Sequence, residues 1–215
     1  MLGPELAAQA DGRGVLVWRF PAPVRALSTT VLGGGLGERT WAANAEVGLG
    51  YHHDDPGAHV AAIGADLGLP AGEGVGFLTA ARVADVASSD DVGVRCDATV
   101  GISVPTWAAG ADGSWSHWEA GTINLLCWVP APLSDAALAN ALVTATEAKV
   151  QALIEAGVPG TGTASDAIAV CCPPGATEPY GGPRSTWGAR LARVVHAAVA
   201  TGTARFLAGG LTAAP

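Results

Sequence analysis

The chain has 215 residues, of which 49% are hydrophobic and 14% charged, with a formal net charge of −8 at neutral pH. That balance gives ample apolar material for one large core, read as a single domain over 1–215, and excludes a disordered chain. The 11 Lys and Arg residues are scattered, with no basic stripe, which speaks against nucleic acid as a partner.

Strands are predicted at GVLVWRF (14–20), GVGFLTA (74–80), VGVRCDATVGI (92–102), TINLLCWV (122–129) and AIAVCC (167–172), all rich in β-branched residues. Between them lie three helices. The first opens at Asp55-Pro56, with Asp55 as N-cap, and stops at Gly68 and Pro70. The second runs from the cap Ser134 to about Ala156 and stops at Gly157 and Pro159. The third starts near Ser185 and is expected to break near Gly202. Strands come in succession before the long helices. The expected fold is therefore α+β or mixed α/β, a single layered domain with a central sheet and about three main helices.

The mean hydropathy of +0.33 raises the question of a membrane. Charge-free stretches such as AGTINLLCWVPAPLS carry prolines and polar residues and fall short of the roughly 20 apolar residues of a crossing. MLGPELAAQADGR has neither a basic nor an apolar leader region, so a cytoplasmic setting is expected.

On a wheel of the second helix, Leu138, Leu142, Val143, Val150, Leu153 and Ile154 share a broad face. Thr146 lies near its centre, and Glu147 and Lys149 lie at its margins. Burying charge without a partner is costly, so these two are expected either to reach solvent or to serve a cleft.

Several short motifs carry polar groups. STTVLGGGLG (28–37) lacks the Gly-Lys-Ser/Thr of a phosphate loop, yet its glycines permit close backbone approach. YHHDD (51–55) looks like metal ligands, but Asp55 is used as a cap. His52 and His53 have no helical spacing, and no second motif completes a site. His117 and His196 read as ordinary histidines. Thr122 and Asn124 alternate onto one face of a strand, directly after a glycine. GGPRSTWG (181–188) sets Arg184 at a helix entrance, where it could help hold an oxyanion or carboxamide. GTGTASDAI (160–168) crowds Thr161, Thr163, Ser165 and Asp166 together, more than a turn requires. Cys96, Cys127, Cys171 and Cys172 form no C-x-x-C and read as buried thiols.

Taken in order, LSTTVLGGGLG, WAANAEV, YHHDDP, GVGFLTAA, DATVGIS, AGTINLL, LSDAALANALVTATEAKVQAL, GTGTASDAI and YGGPRSTWGARLARVVHAA resemble the adenosylcobinamide amidohydrolase family over about 25–200. The resemblance implies hydrolysis of the amide between the corrin propionyl side chain and aminopropanol. Adenosylcobinamide would yield adenosylcobyric acid and (R)-1-amino-2-propanol, in cobinamide salvage for cobalamin synthesis. The cobalt belongs to the substrate, and no cofactor of the protein's own is implied. Two departures are visible. Gly33 stands where an Asn often precedes the Gly-Gly pair, and Ser165 where a Thr-like hydroxyl is common.

Residue chemistry and motif positions together suggest roles. Glu147 is the expected general base toward water, with Lys149 as its charge partner; Asp166 and Thr163 complete the catalytic set. Gly34, Gly35, Asn44, Thr122, Asn124, Thr161, Ser165 and Arg184 are expected to bind substrate. Attack by water and a covalent Thr or Ser ester both remain open. Among the tryptophans, Trp41, Trp107, Trp115, Trp118 and Trp187 could cover a corrin face. Two other readings stand beside this one: a corrinoid-binding module without chemistry, and a metal-dependent hydrolase built on His52, His53 and Asp54. The partner expected is a small corrinoid, with a homo-oligomer open.

Overall fold

The computed structural model describes residues 3–110 and 121–209. Its framework is a mixed eight-stranded sheet with three helices, an α+β arrangement as expected. β1 (Glu5–Ala8), β2 (Gly14–Ser28) and β3 (Gly35–Glu46) run antiparallel in sequence. β4 (Gly74–Thr79) joins β3 in parallel. β5 (Ala87–Asp91), β6 (Val94–Gly101) and β7 (Thr122–Trp128) form a second antiparallel run. β8 (Ala167–Cys172) unites the two runs, parallel to β7 and antiparallel to the far end of β2. The order across the sheet is β4-β3-β2-β8-β7-β6-β5, with β1 on β2.

Three strands escaped the sequence patterns. β3 reads GLGERTWAANAE, without alternation or a β-branched run. β5 reads ASSDD, and β1 reads ELAA. Each is held by its neighbours, since strand propensity is weaker than tertiary context. β2 extends eight residues past its predicted end, to Ser28. Pro21 and Pro23 fall where the register with β3 shifts, between Arg19 and Val24, which is where a strand tolerates proline.

The sheet curls so that its two halves face each other. Leu16, Trp18, Val24, Ala42, Val75, Phe77, Leu126 and Cys171 fill the concave side. α1 (Pro56–Asp66) covers the outer face of β3. α2 (Asp135–Glu155) and α3 (Thr186–Gly209) cover the outer face of β6, β7 and β8. The predicted caps hold: Asp55 accepts from the Ala58 amide, and Ser134 from the Ala137 amide. α3 does not break at Gly202. That glycine lets the helix approach β6, because a Cβ there would meet the Val100 side chain at 2.5 Å.

The buried face of α2 corrects the wheel. Val143 and Ile154 are 49% and 54% exposed, and Thr146 bonds back to the Leu142 carbonyl at 2.9 Å. The inward face is a row of small residues, Ala137, Ala141, Ala145, Ala148 and Ala152, together with Leu138, Thr144, Lys149 and Leu153. The chain at Gly181 lies directly on this row, and Thr144 donates to its carbonyl at 3.0 Å. Backbone packed so closely selects small side chains, which a hydrophobicity wheel underweights.

Among the described residues, no helix is long and apolar enough to cross a membrane. All four cysteines are free and buried, as the sequence suggested. His117, Trp115 and Trp118 lie outside the described residues.

Candidate active site

The polar loop between α2 and β8 is held by nearly every residue in it. Gly157, at φ +76°, turns the chain out of α2. Gly160 then allows the segment around Thr106 to come close, since a Cβ would meet the Thr106 nitrogen at 2.8 Å. The Thr106 amide donates to the Gly162 carbonyl at 2.8 Å, and the Thr161 amide to the Thr106 carbonyl at 2.9 Å. The Thr161 hydroxyl accepts from the Ala108 amide at 2.9 Å.

Asp166 is the knot of the loop. Its carboxylate accepts from the Ile123 amide at 2.9 Å, the Thr163 amide at 3.2 Å, the Thr163 hydroxyl at 2.5 Å and the Lys149 ammonium. The Thr163 oxygen also lies 2.7 Å from the Gly121 carbonyl, so its single proton is shared between two acceptors. Lys149 is only 6% exposed. Gly162 leaves room for the ion pair, because a Cβ there would run into both charged groups. Charges so far removed from water persist when paired and hydrogen-bonded, and this pair is both.

Beside the knot lies a second pair of hydroxyls. Thr122 and Ser165 oxygens are 2.8 Å apart, and Ser165 donates to the Gly121 carbonyl at 2.9 Å. With that proton committed, Thr122 donates to Ser165. Thr122 is buried and Ser165 exposed, so Ser165 presents this pair to solvent.

Two residues further along β7, on the same face, Asn124 enters the concave side. Its amide donates to the Asn44 oxygen at 3.1 Å and the Leu78 carbonyl at 2.8 Å. Asn44 in turn donates to the Thr99 hydroxyl at 2.9 Å. The predicted residues Asn44, Thr122 and Asn124 thus share one polar seam. The Asn124 side-chain oxygen has no donor among the described residues, although the residue is only 2% exposed.

Other predicted residues stand apart. The expected Glu147–Lys149 pair does not form. Two helical positions are about 200° apart, so Lys149 points inward to Asp166 while Glu147 is exposed on the outer face. Arg184 is exposed, and its neighbour Gly182 lies beside Asn140. That is about 13 Å along α2 from Lys149 at 1.5 Å per residue. Gly34 and Gly35 form the turn between β2 and β3. This turn abuts the start of β8, where Thr29 and Ile168 exchange bonds of 3.0 Å. Gly33 adopts φ +69°, and a Cβ on it would collide with the Gly74 carbonyl. Packing therefore accounts for glycine at that position.

Sequence reasoning missed Gly121 and Thr99. The Gly121 carbonyl receives two hydroxyls, a backbone role that carries no side-chain signal. Thr99 was legible only through alternation on β6. Trp41 is buried, with its indole nitrogen donating to the Pro70 carbonyl at 2.8 Å, and Trp187 packs against the core under α3. Trp107 is exposed. Tyr51, His53 and His59 stack with centroids 5.0 to 6.3 Å apart. The Tyr51 phenol is pushed up by burial and then by Asp55. Among the described residues, no three His, Cys, Asp or Glu side chains converge as metal ligands.

Comparison with known proteins bears on what such a site does. The sequence profile of the adenosylcobinamide amidohydrolase family matches residues 3–208. A Halobacterium salinarum protein named adenosylcobinamide amidohydrolase is 44% identical over 81 residues, 37% of this chain and 34% of that protein. A Methanosarcina mazei protein of the same name is 31% identical over 138 residues, 60% of this chain and 65% of its own length. The chain thus spans about a third and just under two thirds of these two curated relatives.

Proposed function

Since the chain belongs to the adenosylcobinamide amidohydrolase family, we propose that it hydrolyses the amide joining the corrin propionyl group of adenosylcobinamide to aminopropanol. Water adds to the carbonyl carbon, the C–N bond breaks, and a proton passes to the leaving amine. The products are adenosylcobyric acid and 1-amino-2-propanol, in cobinamide salvage and in a cytoplasmic setting. The corrinoid brings its own cobalt, and the protein supplies no cofactor. The observation that carries this reading is the family match over residues 3–208. The exposed Ser165 hydroxyl, backed by Thr122, supports it, because acyl transfer needs a donor placed where the carbonyl oxygen gains charge.

In this reading the exposed Ser165 hydroxyl turns from the Gly121 carbonyl to donate to the reacting carbonyl, Thr122 donates to Ser165 behind it, and the Lys149–Asp166 pair holds the loop without touching substrate. Water is preferred as nucleophile because the Ser165 hydroxyl contacts only Thr122 and Gly121 among the described residues, and neither is a base.

The test is to incubate chelator-treated protein with adenosylcobinamide and follow corrinoids by chromatography with mass detection. Adenosylcobyric acid with equimolar aminopropanol supports the proposal. Binding seen as a spectral shift, without product, would instead make the protein a corrinoid-binding module. Activity that vanishes on chelation and returns with a divalent metal would move the chemistry toward His52, His53 and Asp54.

A further inference from the structure

We propose that Trp107 is the platform on which the apolar face of the corrinoid rests, and that Thr161 is a positioning residue that holds it there. The proposal rests on the activity proposed above. Thr161 was expected to bind substrate, but its hydroxyl is engaged with backbone. It accepts from the Ala108 amide at 2.9 Å and lies 3.4 Å from the Thr106 carbonyl.

Thr161 therefore grips the chain on both sides of Trp107. The two backbone bonds between Thr106 and the Thr161–Gly162 segment close the bracket. A further bond, from the Gly110 amide to the Trp107 carbonyl at 3.0 Å, turns the chain just beyond it. Gly160 makes the approach feasible, since a Cβ would meet the Thr106 nitrogen and oxygen at 2.8 and 2.9 Å.

The bracket holds an indole that is 51% exposed. A single exposed apolar residue is ordinary. An exposed indole whose main chain is held by three backbone bonds and the Thr161 side chain, on a segment bridged to the loop of Ser165 and Asp166, is a preorganised surface. Trp18 and Trp41 are buried in the core, and Trp187 packs under α3, so none of these presents a comparable face. The ligand class that fits is a wide, largely apolar disc fringed with carboxamides. An indole covers such a face while its N–H meets the fringe.

The experiment uses the full chain and measures kcat, KM and equilibrium affinity for adenosylcobinamide. For Trp107→Ala, KM and Kd should rise about tenfold while kcat stays within about twofold, the size expected for one aromatic contact. Trp107→Phe should recover most of the affinity. Thr161→Val should weaken binding less than Trp107→Ala. In the double variant it should add nothing further, because Thr161 acts through Trp107. Trp107 is exposed, so its variants should fold, and circular dichroism checks that.

Unchanged KM and Kd in Trp107→Ala, with the wild type binding normally, would overturn this assignment alone. Additive losses in the double variant would overturn the role of Thr161. If the wild type binds no adenosylcobinamide, the proposed activity falls and this assignment with it.

Discussion

Lys149 of α2 and Asp166, the residue before β8, form an ion pair with side chains only 7% and 10% exposed. The pair joins a helix, a loop and, through the Ile123 amide, a strand. It explains why GTGTASDAI is so polar: the loop must satisfy a buried carboxylate as well as face solvent.

Removing either partner should therefore have unequal effects. Asp166→Asn strands a buried ammonium and loosens Thr163, and should cost about 3–5 kcal/mol. At about 2–4 °C per kcal/mol for a chain this size, melting should fall by roughly 10 °C. Lys149→Met leaves the carboxylate two backbone amides and a hydroxyl, and should cost less. Equal losses in thermal melts would mean the ion pair, rather than the loop bonds, dominates.

Glu147→Gln tests the base once expected at that position. Glu147 sits on the outer face of α2, in an open groove with Val150 and Ile154. Turnover of adenosylcobinamide should remain within about twofold of wild type, whereas Ser165→Ala should lower kcat about 100-fold if its hydroxyl serves the oxyanion. A large kcat loss in Glu147→Gln would return the chemistry to α2.

Gly33 should resist substitution for steric reasons. Gly33→Asn places a side chain at φ +69° and against the Gly74 carbonyl. It should cost about 1–3 kcal/mol, visible as a lower urea midpoint. An unchanged midpoint would show that the turn relaxes and that glycine there is not a packing requirement.

Acid should loosen the contact between β5 and α3. The Arg193 hydrogen bond, aided by Arg190, holds the Asp91 carboxyl below its ordinary 3.8. The depressed value means the unfolded chain takes up this proton first. The contribution is full above the ordinary value and disappears as pH falls through the folded one. Asp91→Asn should therefore be less stable than wild type at neutral pH, and the gap should close as pH falls below the ordinary value and through the lowered one. Urea midpoints across that range would show it; a gap independent of pH would contradict the linkage.

The thiols should be silent in the folded protein. Cys96 is pushed up by its hydrogen bond with Cys127 and by burial, and Cys171 by burial. Thiolate is the reactive form, so alkylation should proceed only after denaturation. A thiol that reacts quickly in native buffer would indicate local opening of the β6–β7 face.

Much of this protein was legible from residues alone. The caps Asp55 and Ser134, the stop at Gly157, the strands at 74–80, 122–129 and 167–172, and the alternation of Thr122 with Asn124 are local signals. They depend on φ/ψ preferences and side-chain direction within a few residues, and chain order preserves them. Placing Thr163, Ser165 and Asp166 in one loop was likewise a matter of sequence proximity.

Only the tertiary structure decided what those groups face. Asp166 meets Lys149, because two positions along α2 are about 200° apart and turn Lys149 inward and Glu147 outward. Thr161 became a bracket for Trp107, 54 residues earlier in the sequence, because β-bridging brought Thr106 to Gly162. β3 formed without a strand pattern because β2 and β4 pair with it on either side, and α2 set alanines against the chain at Gly181 because that backbone lies too close for a valine there. Such outcomes depend on which surfaces come within packing distance, and a one-dimensional pattern does not encode that distance.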